Sequence, residues 1–437
     1  MHYAVEGRKV DIVEYILSKK LSNYNPQDIN GISPCHVAAG YGYDEIVSLF
    51  LQHKDVSNLE PKGFITPMHS ASKYGHENVV QLLLTSDKIR DKNSISMNGW
   101  TPMHYASKHG HDKVFKLFLN CEQVGDKSPV DEYKLTPLHI AAKNGHAEIV
   151  SLCLSSKKIK NKDPRDQNRW TPITYAAKYG HKKVVELFLN CDQVENKNPR
   201  GKNRYTPVHY AAKSGHDEIV QLFLNDDNVK DKNLANSDGW TPMNYAAANG
   251  HEKVVQLFLN CDKITNKMSG DKNNFTPLHS AAKNGRGKVV QLLLDSDKIE
   301  NKVPKDNHGW TPIHHAAKQG HEQIIRLFFN CDLIENKNPQ DNCGLTPMHI
   351  ACKHSNELIV KFFLNNNKDI KDINPVDDDG WTPMHHAFRH IKILLLFQNC
   401  NQEDPNQENY PRNKEGNTPW DLYNQWKNSE SRTGNEM

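Results

Sequence analysis

The sequence predicts an all-α repeat solenoid, in which short helical pairs stack side by side. A Thr-Pro or Ser-Pro pair recurs along the chain, and it does so every 35 residues from Thr66 to Thr346. Each pair is followed by an Ala-rich segment and then by a segment with apolar residues at i, i+3 and i+4, the period of an amphipathic helix. A unit of this length is too short to fold alone, so each unit must pack against its neighbours.

The first residues of the chain match the inside of a repeat. Met1 to Ala4 has the same pattern as Met103 to Ala106, but no Thr-Pro precedes it. Residues 1–30 are therefore predicted to be a partial leading repeat, and residues 31–400 an array of about eleven repeats. Two explanations remain open. The sequence is a fragment of a longer protein, or its first repeat is an incomplete cap, since terminal repeats of solenoids are atypical.

Each full unit contains the signals for two helices. The Thr is an N-cap and the Pro follows at the first helical position, where its missing N–H costs nothing. Small residues such as Ala141 and Ala142 let a neighbouring helix approach closely, and Gly145 ends the first helix. The second helix has an apolar stripe, for example Val184 and Phe188, which must be buried against the adjacent repeats.

Some fifteen polar residues separate each second helix from the next Thr-Pro. They are rich in Asn, Asp, Lys, Pro and Gly and contain one β-branched residue, such as Val194. We expect an extended, hairpin-like finger here, since a structureless loop that recurs in every repeat would be improbable.

The last repeat differs from the others. Thr418-Pro419 starts a final helix, and Asp421 stands where the other repeats have histidine. Residues 401–427 are therefore predicted to be a polar C-terminal capping repeat, and residues 428–437 a disordered tail.

The repeat resembles the ankyrin repeat family, whose motif is T-P-L-H-x-A-A-x-x-G-H within a β-turn and two antiparallel helices. The T-P-x-H pattern begins at Thr66, Thr101, Thr136, Thr206, Thr276, Thr311, Thr346 and Thr382. The unit is 35 residues long rather than about 33, which predicts longer fingers. The resemblance implies that the recurrent histidines make hydrogen bonds within the turn. It also implies that fingers and first helices form a concave groove that binds proteins.

A second period of 70 residues runs through the array. The residue before Thr-Pro is tryptophan in every second repeat, and cysteine follows the same alternation at Cys121, Cys191, Cys261 and Cys331. We call these tryptophans the tryptophan column. They are Trp100, Trp170, Trp240, Trp310 and Trp381.

A second set of candidates, the basic column, occupies the position seven residues after each Thr, which lines the groove in the ankyrin family. Its members are Lys73, Lys108, Lys143, Lys178, Lys213, Lys283, Lys318, Lys353 and Arg389. A further row, the finger lysines, is expected to add to this surface. It comprises Lys92, Lys127, Lys162, Lys197, Lys232, Lys267, Lys302 and Lys337.

Each set has a binding and a structural interpretation. The lysines either attract an acidic, extended protein segment or keep the array soluble. The tryptophans either anchor a partner or pack between neighbouring fingers. Single-stranded nucleic acid is the less favoured ligand, because repeats rise by about 8 to 10 Å whereas stacked bases lie about 3.4 Å apart.

Other classes of function lack their signatures. The sequence has no Walker loop, no G-x-S-x-G, no H-E-x-x-H and no C-x-x-C, so no catalytic residues, cofactor or metal site are predicted. No apolar run approaches the roughly 20 residues that cross a bilayer. The first residues lack a signal segment, which predicts a cytoplasmic or possibly nuclear location with reduced cysteines.

The predicted function is that of a non-enzymatic scaffold or adaptor that holds partner proteins along the groove. The alternative is the ankyrin portion of a larger signalling protein, enzyme or ion channel. The net charge of +3 does not by itself indicate a polyanionic partner.

Overall fold

The computed structural model describes residues 1–19, 21–56, 59, 65–366, 368, 370, 372, 374–400 and 410–433. Within them the chain forms helices and turns and no β-strand. The helices are α1 His2–Glu6, α2 Val10–Leu17, α3 Pro34–Tyr41, α4 Asp44–Gln52, α5 Pro67–Tyr74, α6 Glu77–Thr85, α7 Pro102–His109, α8 Asp112–Asn120, α9 Pro137–Asn144, α10 Ala147–Ser155, α11 Pro172–Tyr179, α12 Lys182–Leu189, α13 Pro207–Ser214, α14 Asp217–Asn225, α15 Pro242–Asn249, α16 Glu252–Asn260, α17 Pro277–Lys283, α18 Gly287–Asp295, α19 Pro312–Gln319, α20 Glu322–Phe329, α21 Pro347–Lys353, α22 Glu357–Asn365, α23 Pro383–His386, α24 Ile391–Cys400 and α25 Pro419–Thr433.

The chain divides into two compact units. One comprises Met1–Ala211 and Asn225–Lys230, and the other Ala212–Leu224 and Asp231–Met437. In the first unit the first helices of successive repeats pack in the order α1, α3, α5, α7, α9, α11, and the second helices in the order α2, α4, α6, α8, α10, α12. In the second unit the corresponding rows are α15, α17, α19, α21, α23 and α16, α18, α20, α22, α24. The predicted all-α repeat solenoid is confirmed.

The start of each first helix is fixed by its Thr. Thr136 precedes α9, and its hydroxyl oxygen accepts a hydrogen bond from the backbone N–H of His139 at 3.3 Å. The ring of His139 accepts the backbone N–H of Thr136 in return, at 3.1 Å. This reciprocal cap satisfies two amides that the helix cannot satisfy itself. The helix ends at Gly145, whose φ of 79° is the left-handed conformation that glycine adopts without strain.

The core of each unit is built from small first helices and apolar second helices. Ala141 and Ala142 are fully buried, as the close packing of α9 between α7 and α11 requires. Val185 and Phe188 of α12 are also fully buried. The same positions recur in each repeat, so the core is a row of similar layers, which is how a solenoid is stabilised.

The fingers are turns rather than strand pairs. In one of them, the N–H of Asp131 donates to the carbonyl of Leu135 at 3.0 Å and closes the turn. Neighbouring fingers are joined through the backbone, since the N–H of Gln167 donates to the carbonyl of Tyr133 at 3.1 Å. The expected finger is present, with one backbone hydrogen bond that closes its own turn and another that joins it to the next finger.

The C-terminal helix is longer than expected. It runs from Pro419 to Thr433, so residues 428–433, which were expected to be disordered, are helical. Trp420, Tyr423 and Trp426 recur at helical spacing and form ring contacts with centroids about 6 Å apart, which stabilise the first turns of this helix. Residues 401–409 of the predicted capping repeat and residues 434–437 of the tail lie outside the described part of the chain.

Candidate protein-binding surface

The basic column lies in or just after the last turn of the first helices. Lys73 and Lys178 are half-buried. The other seven members are exposed: Lys108, Lys143, Lys213, Lys283, Lys318, Lys353 and Arg389. Exposed positive charges at a helix C-terminus are favourably placed with respect to the helix dipole. They are also available to a ligand.

The structure brings the basic and tryptophan columns together. Three lysines place their ammonium groups over the indole ring of the tryptophan in the same repeat, at 5.3 Å for Lys108 and Trp100, 4.8 Å for Lys178 and Trp170, and 5.4 Å for Lys318 and Trp310. These are cation–π contacts. Two sets of residues that sequence analysis treated separately therefore form one surface in these repeats.

The other edge of the indole has a structural partner. The indole N–H of Trp100 donates to Asp131 at 3.2 Å, and that of Trp310 donates to Asp341 at 2.8 Å. Both carboxylates belong to the finger of the following repeat. All five tryptophans are half-buried. At Trp100 and Trp310 the expected packing between fingers is therefore present at the indole edge, while the ring face contacts the basic column.

These carboxylates explain the 70-residue period. In repeats without tryptophan, the Asp five residues before Thr accepts the indole N–H of the preceding repeat. Among the repeats with tryptophan, Asp166, Asp306 and Asp377 stand at the same position, and each pairs with its own first helix. The Trp100 and Trp240 repeats have Ser96 and Asn236 there. Asp166 accepts the hydroxyl of Tyr175 at 2.7 Å, and Asp306 contacts Nε2 of His315 at 3.0 Å. The two roles alternate along the chain.

The repeat that follows Trp170 also lacks Asp at this position. Gly201 stands where the Asp that would face Trp170 is expected, and the ring of Tyr210 packs on this indole instead, with centroids 4.5 Å apart. A Cβ at Gly201 would lie 3.1 Å from Trp170. The glycine therefore leaves room for the aromatic contact.

The expectation that the finger lysines belong to the binding surface is wrong. All eight are buried, with 3% to 9% of their surface exposed. Lys162 donates to the carbonyls of Cys153 and Ser156, both at 2.6 Å, at the end of α10. Lys302 does the same for Leu293 and Ser296 at the end of α18. Burial lowers the pKa of both lysines. They cap helix carbonyls that would otherwise lack donors.

The recurrent histidines make hydrogen bonds within the turn, as predicted, and they also join one repeat to the next. Nδ1 of His279 accepts the N–H of Thr276, and Nε2 lies 2.9 Å from the carbonyl oxygen of Trp310 in the following repeat. The second histidine of the motif makes a similar link, as between His181 and the carbonyl of Lys143 at 2.9 Å. Burial lowers the pKa of His279 to about 4, so the ring is neutral.

One group of side chains has a composition suited to a metal. The ligand atoms of His279, Asp306 and His315 lie within 4.8 Å of one another. Their positions are accounted for by hydrogen bonds, because both nitrogens of His279 are engaged with Thr276 and Trp310, and His315 pairs with Asp306 as Tyr175 pairs with Asp166. The geometry assigns these residues a structural role.

Sequence reasoning missed the aspartate row and its partners. Its signal was present, because Asp131, Asp166, Asp271, Asp306 and Asp341 recur five residues before Thr at intervals of 35 residues or multiples of it. The complementary signal was a tyrosine or histidine four residues after Thr in each repeat that has the tryptophan: Tyr105, Tyr175, Tyr245, His315 and His386. Neither signal could be interpreted without knowing that adjacent fingers lie close together.

Paired short helices joined by finger-like turns, repeated along each unit, define a helical repeat protein. A protein-family model described as ankyrin repeats (3 copies) matches the sequence in overlapping stretches that together cover residues 1–409. The chain belongs to the ankyrin repeat family, whose members are generally protein-interaction modules with a typically non-catalytic fold. No curated protein matches it. Among the described residues, no helix has the length and apolar character needed to cross a membrane.

Proposed function

We propose that the protein is a non-enzymatic scaffold or adaptor, which binds partner proteins through the basic and tryptophan columns. The observation that supports this most directly is the stacking of Lys108, Lys178 and Lys318 on the indoles of Trp100, Trp170 and Trp310. Each pair offers a flat aromatic face and a positive charge at one place. The same pair recurs in these three repeats.

The chemistry of this surface favours an acidic, extended protein segment. Lysines held over a ring are ordered before a ligand arrives, so less side-chain entropy is lost when they pair with carboxylates. Because their spacing follows the repeats, a ligand that spans several repeats meets one cation per repeat, except in the repeat with Ala248. An extended chain rises by about 3.3 Å per residue and covers about three residues over each repeat step of 8 to 10 Å.

The tryptophan column supports the same assignment. Tryptophan is enriched among residues that carry binding energy. Its edge is fixed by Asp131 or Asp341, so the ring is held in place without using its face. A preorganised aromatic face next to a cation is suited to a protein ligand with both acidic and apolar side chains.

The experiment that tests this proposal is affinity capture from a cell lysate with three forms of the chain. They are the natural sequence, a variant with Lys108, Lys143 and Lys178 changed to Glu, and a control with Lys116, Lys157 and Lys160 changed to Glu. All six lysines lie in the first unit. The control lysines are exposed and lie outside the basic column. Both variants change the net charge equally.

Discrete proteins captured by the natural sequence and the control, but lost with the basic-column variant, support the proposal. Capture that consists chiefly of nucleic acid overturns it. Equal loss with both variants also overturns it, because binding would then depend on overall charge rather than on this surface. We further propose a role in signalling and a cytoplasmic location. The alternative is that the chain is part of a larger signalling protein, enzyme or channel.

A further inference from the structure

Three successive fingers have a basic residue at a backbone position that favours glycine. The position lies two residues before Thr, and its φ is positive in every finger whose backbone is described. Most fingers have glycine there, such as Gly99 and Gly239, but three successive fingers have Lys134, Arg169 and Arg204, with φ of 60°, 60° and 61°. Side chains other than glycine and asparagine rarely adopt this conformation. A basic residue held in it three times in a row indicates a role beyond the fold itself.

Further cations lie beside these three. We use the name fingertip patch for residues 95–99, 130–134, 165–169 and 200–204. Its cations are Lys134, Arg165, Arg169, Arg200, Lys202 and Arg204, so four of the 11 arginines of the chain lie in two successive fingers. All six are at least partly exposed. Of its acidic residues, Asp131 and Asp166 are buried and Glu132 is exposed. The patch therefore presents an excess of positive charge to solvent.

The fingers of the patch are fixed relative to one another. The backbone N–H of Lys202 donates to the carbonyl of Asn168 in the preceding finger at 2.9 Å. Between the same two fingers, Nη1 of Arg165 donates to the carbonyl of Arg200 at 3.0 Å. The whole patch belongs to the first compact unit. Its cations are therefore arranged before a ligand arrives.

Apolar side chains are exposed in the same row of fingers. In one finger Met97 is 77% and Ile95 58% exposed, and in the next finger Tyr133 is 62% and Val130 55% exposed. The two fingers are joined by the hydrogen bond that the indole of Trp100 donates. Apolar surface of this kind is unfavourable in water, and its clustering marks an interaction site. Because it lies next to the cations, the ligand must have both anionic and apolar parts.

We infer that the fingertip patch docks the protein on an anionic phospholipid surface. The lipid headgroups supply phosphates, which an arginine can contact with two parallel N–H groups. The region just beneath the headgroups accepts apolar and aromatic side chains, and clustered basic residues strengthen binding to anionic lipids. An acidic peptide would pair with the cations but leave Met97 and Ile95 in water. Binding of this kind is peripheral and requires no membrane-spanning helix.

This inference goes beyond the proposed function and does not depend on it. No member of the basic column or of the tryptophan column belongs to the fingertip patch. A chain that binds proteins through those columns and lipid through its fingertips would hold its partners at a membrane surface.

The test is sedimentation of the full chain with vesicles of phosphatidylcholine alone and of phosphatidylcholine mixed with phosphatidylserine. We expect the chain to bind the mixed vesicles and to bind the phosphatidylcholine vesicles little. The main variant changes Lys134, Arg169 and Arg204 to Gly, the residue that most other fingers have at this position. Each basic residue near an anionic surface contributes about fivefold to the affinity, so this variant should bind roughly a hundredfold more weakly.

A matched control removes the same charge elsewhere in the first unit. It changes Lys116, Lys157 and Lys160, which are exposed and lie outside the patch, to Gln. Its affinity for the mixed vesicles should stay within about threefold of that of the natural sequence, since charges far from the lipid are screened. Circular dichroism checks that the glycine variant keeps its helix content. If it does not, the same three residues are changed to Asn, which Asn274 shows at this position with a φ of 59°.

A second pair of variants tests the apolar side chains. Met97→Ser combined with Tyr133→Ser should weaken binding to the mixed vesicles at least about fivefold, because less apolar surface enters the headgroup region. The control combines Tyr3→Ser with Tyr15→Ser, which are 89% and 62% exposed but belong to α1 and α2. It should bind as the natural sequence does.

The inference is overturned if the natural chain binds both kinds of vesicle equally, or if the glycine or asparagine variant binds as well as its lysine control. It is also overturned if the Met97 and Tyr133 variant binds as well as its tyrosine control, since a soluble acidic ligand would then suffice. These variants leave both columns unchanged. Failure here leaves the proposed function standing, and failure of the capture experiment leaves this inference standing.

Discussion

The indole nitrogen of Trp310 lies 2.8 Å from a carboxylate oxygen of Asp341, which belongs to the finger of the next repeat. The ring face of the same residue has another partner, because the ammonium group of Lys318 lies over it. One side chain thus joins two fingers through its edge and contributes to the proposed binding surface through its face. The two roles can be separated by substitution.

Trp310→Phe keeps an aromatic face and removes the indole donor. We expect it to lower the free energy of unfolding by about 1 to 3 kcal/mol, since Asp341 loses a hydrogen bond in a half-buried site. Binding of an acidic peptide should change little. Trp310→Ala should lose both stability and binding. Denaturant unfolding and peptide titration of both variants measure the two effects, and equal loss of binding in Phe and Ala variants would contradict this division.

We expect substitutions of the finger lysines to lower the free energy of unfolding. Substitutions in the basic column should leave it nearly unchanged. Lys302→Met removes the donor to the carbonyls of Leu293 and Ser296 at a buried site. It should cost about 1 to 3 kcal/mol of unfolding free energy. The matched control Lys283→Met changes an exposed lysine and should stay within about 0.5 kcal/mol of the natural sequence. Chemical denaturation of both variants provides the measurement. A larger loss of stability in Lys283→Met than in Lys302→Met would contradict the structural role of the finger lysines.

The buried histidines predict a loss of stability in mild acid. Burial lowers the pKa to about 4 for His69, His139, His279, His314 and His349. Histidine in an unfolded chain titrates near 6.5, so between these values the unfolded chain binds protons that the folded chain does not. The free energy of unfolding should therefore be independent of these groups above about pH 6.5 and should fall as the pH drops towards 4. Each histidine contributes about 1.4 kcal/mol per pH unit in this window.

The protein contains the substitution that tests this pH dependence. Asn244 replaces the histidine in one repeat and makes the same links, accepting the N–H of Thr241 at 3.0 Å and donating to the carbonyl of Phe275 at 3.2 Å. His314→Asn should therefore leave the protein folded at neutral pH. Between about pH 4 and 6.5 it should reduce the number of protons taken up on unfolding by about one, and with it the slope of unfolding free energy against pH. The exposed His308, changed to Asn, serves as the control. A slope unchanged in His314→Asn would contradict the assignment.

The repeats, the two helices of each unit and the buried positions could be predicted from the sequence, because their signals are local. Thr at the N-cap, Pro after it and the apolar stripe of residues such as Val185 and Phe188 act within one helix or between identical neighbours. The family followed from the T-P-x-H pattern. A strictly periodic sequence repeats these signals many times, which makes them easy to recognise.

The role of the lysines could not be predicted in the same way. Lys283 and Lys302 are both charged, periodic and close to turns, yet one is exposed over Phe275 and the other is buried against helix carbonyls. The difference depends on how the finger folds back onto α18, and that is a tertiary contact. The helical conformation of residues 428–433 was also missed.

The central claim is that the basic column binds acidic protein segments. Fluorescence anisotropy with a labelled poly-glutamate peptide tests this claim most directly. The peptide is titrated into the natural sequence, the Lys108, Lys143 and Lys178 to Glu variant, and the Lys116, Lys157 and Lys160 to Glu control. Measurements are made at about 50 mM and about 300 mM salt, where the screening lengths differ more than twofold. We expect the basic-column variant to bind at least about tenfold more weakly than the control at the lower salt concentration. Equal affinities of the two variants would contradict the account.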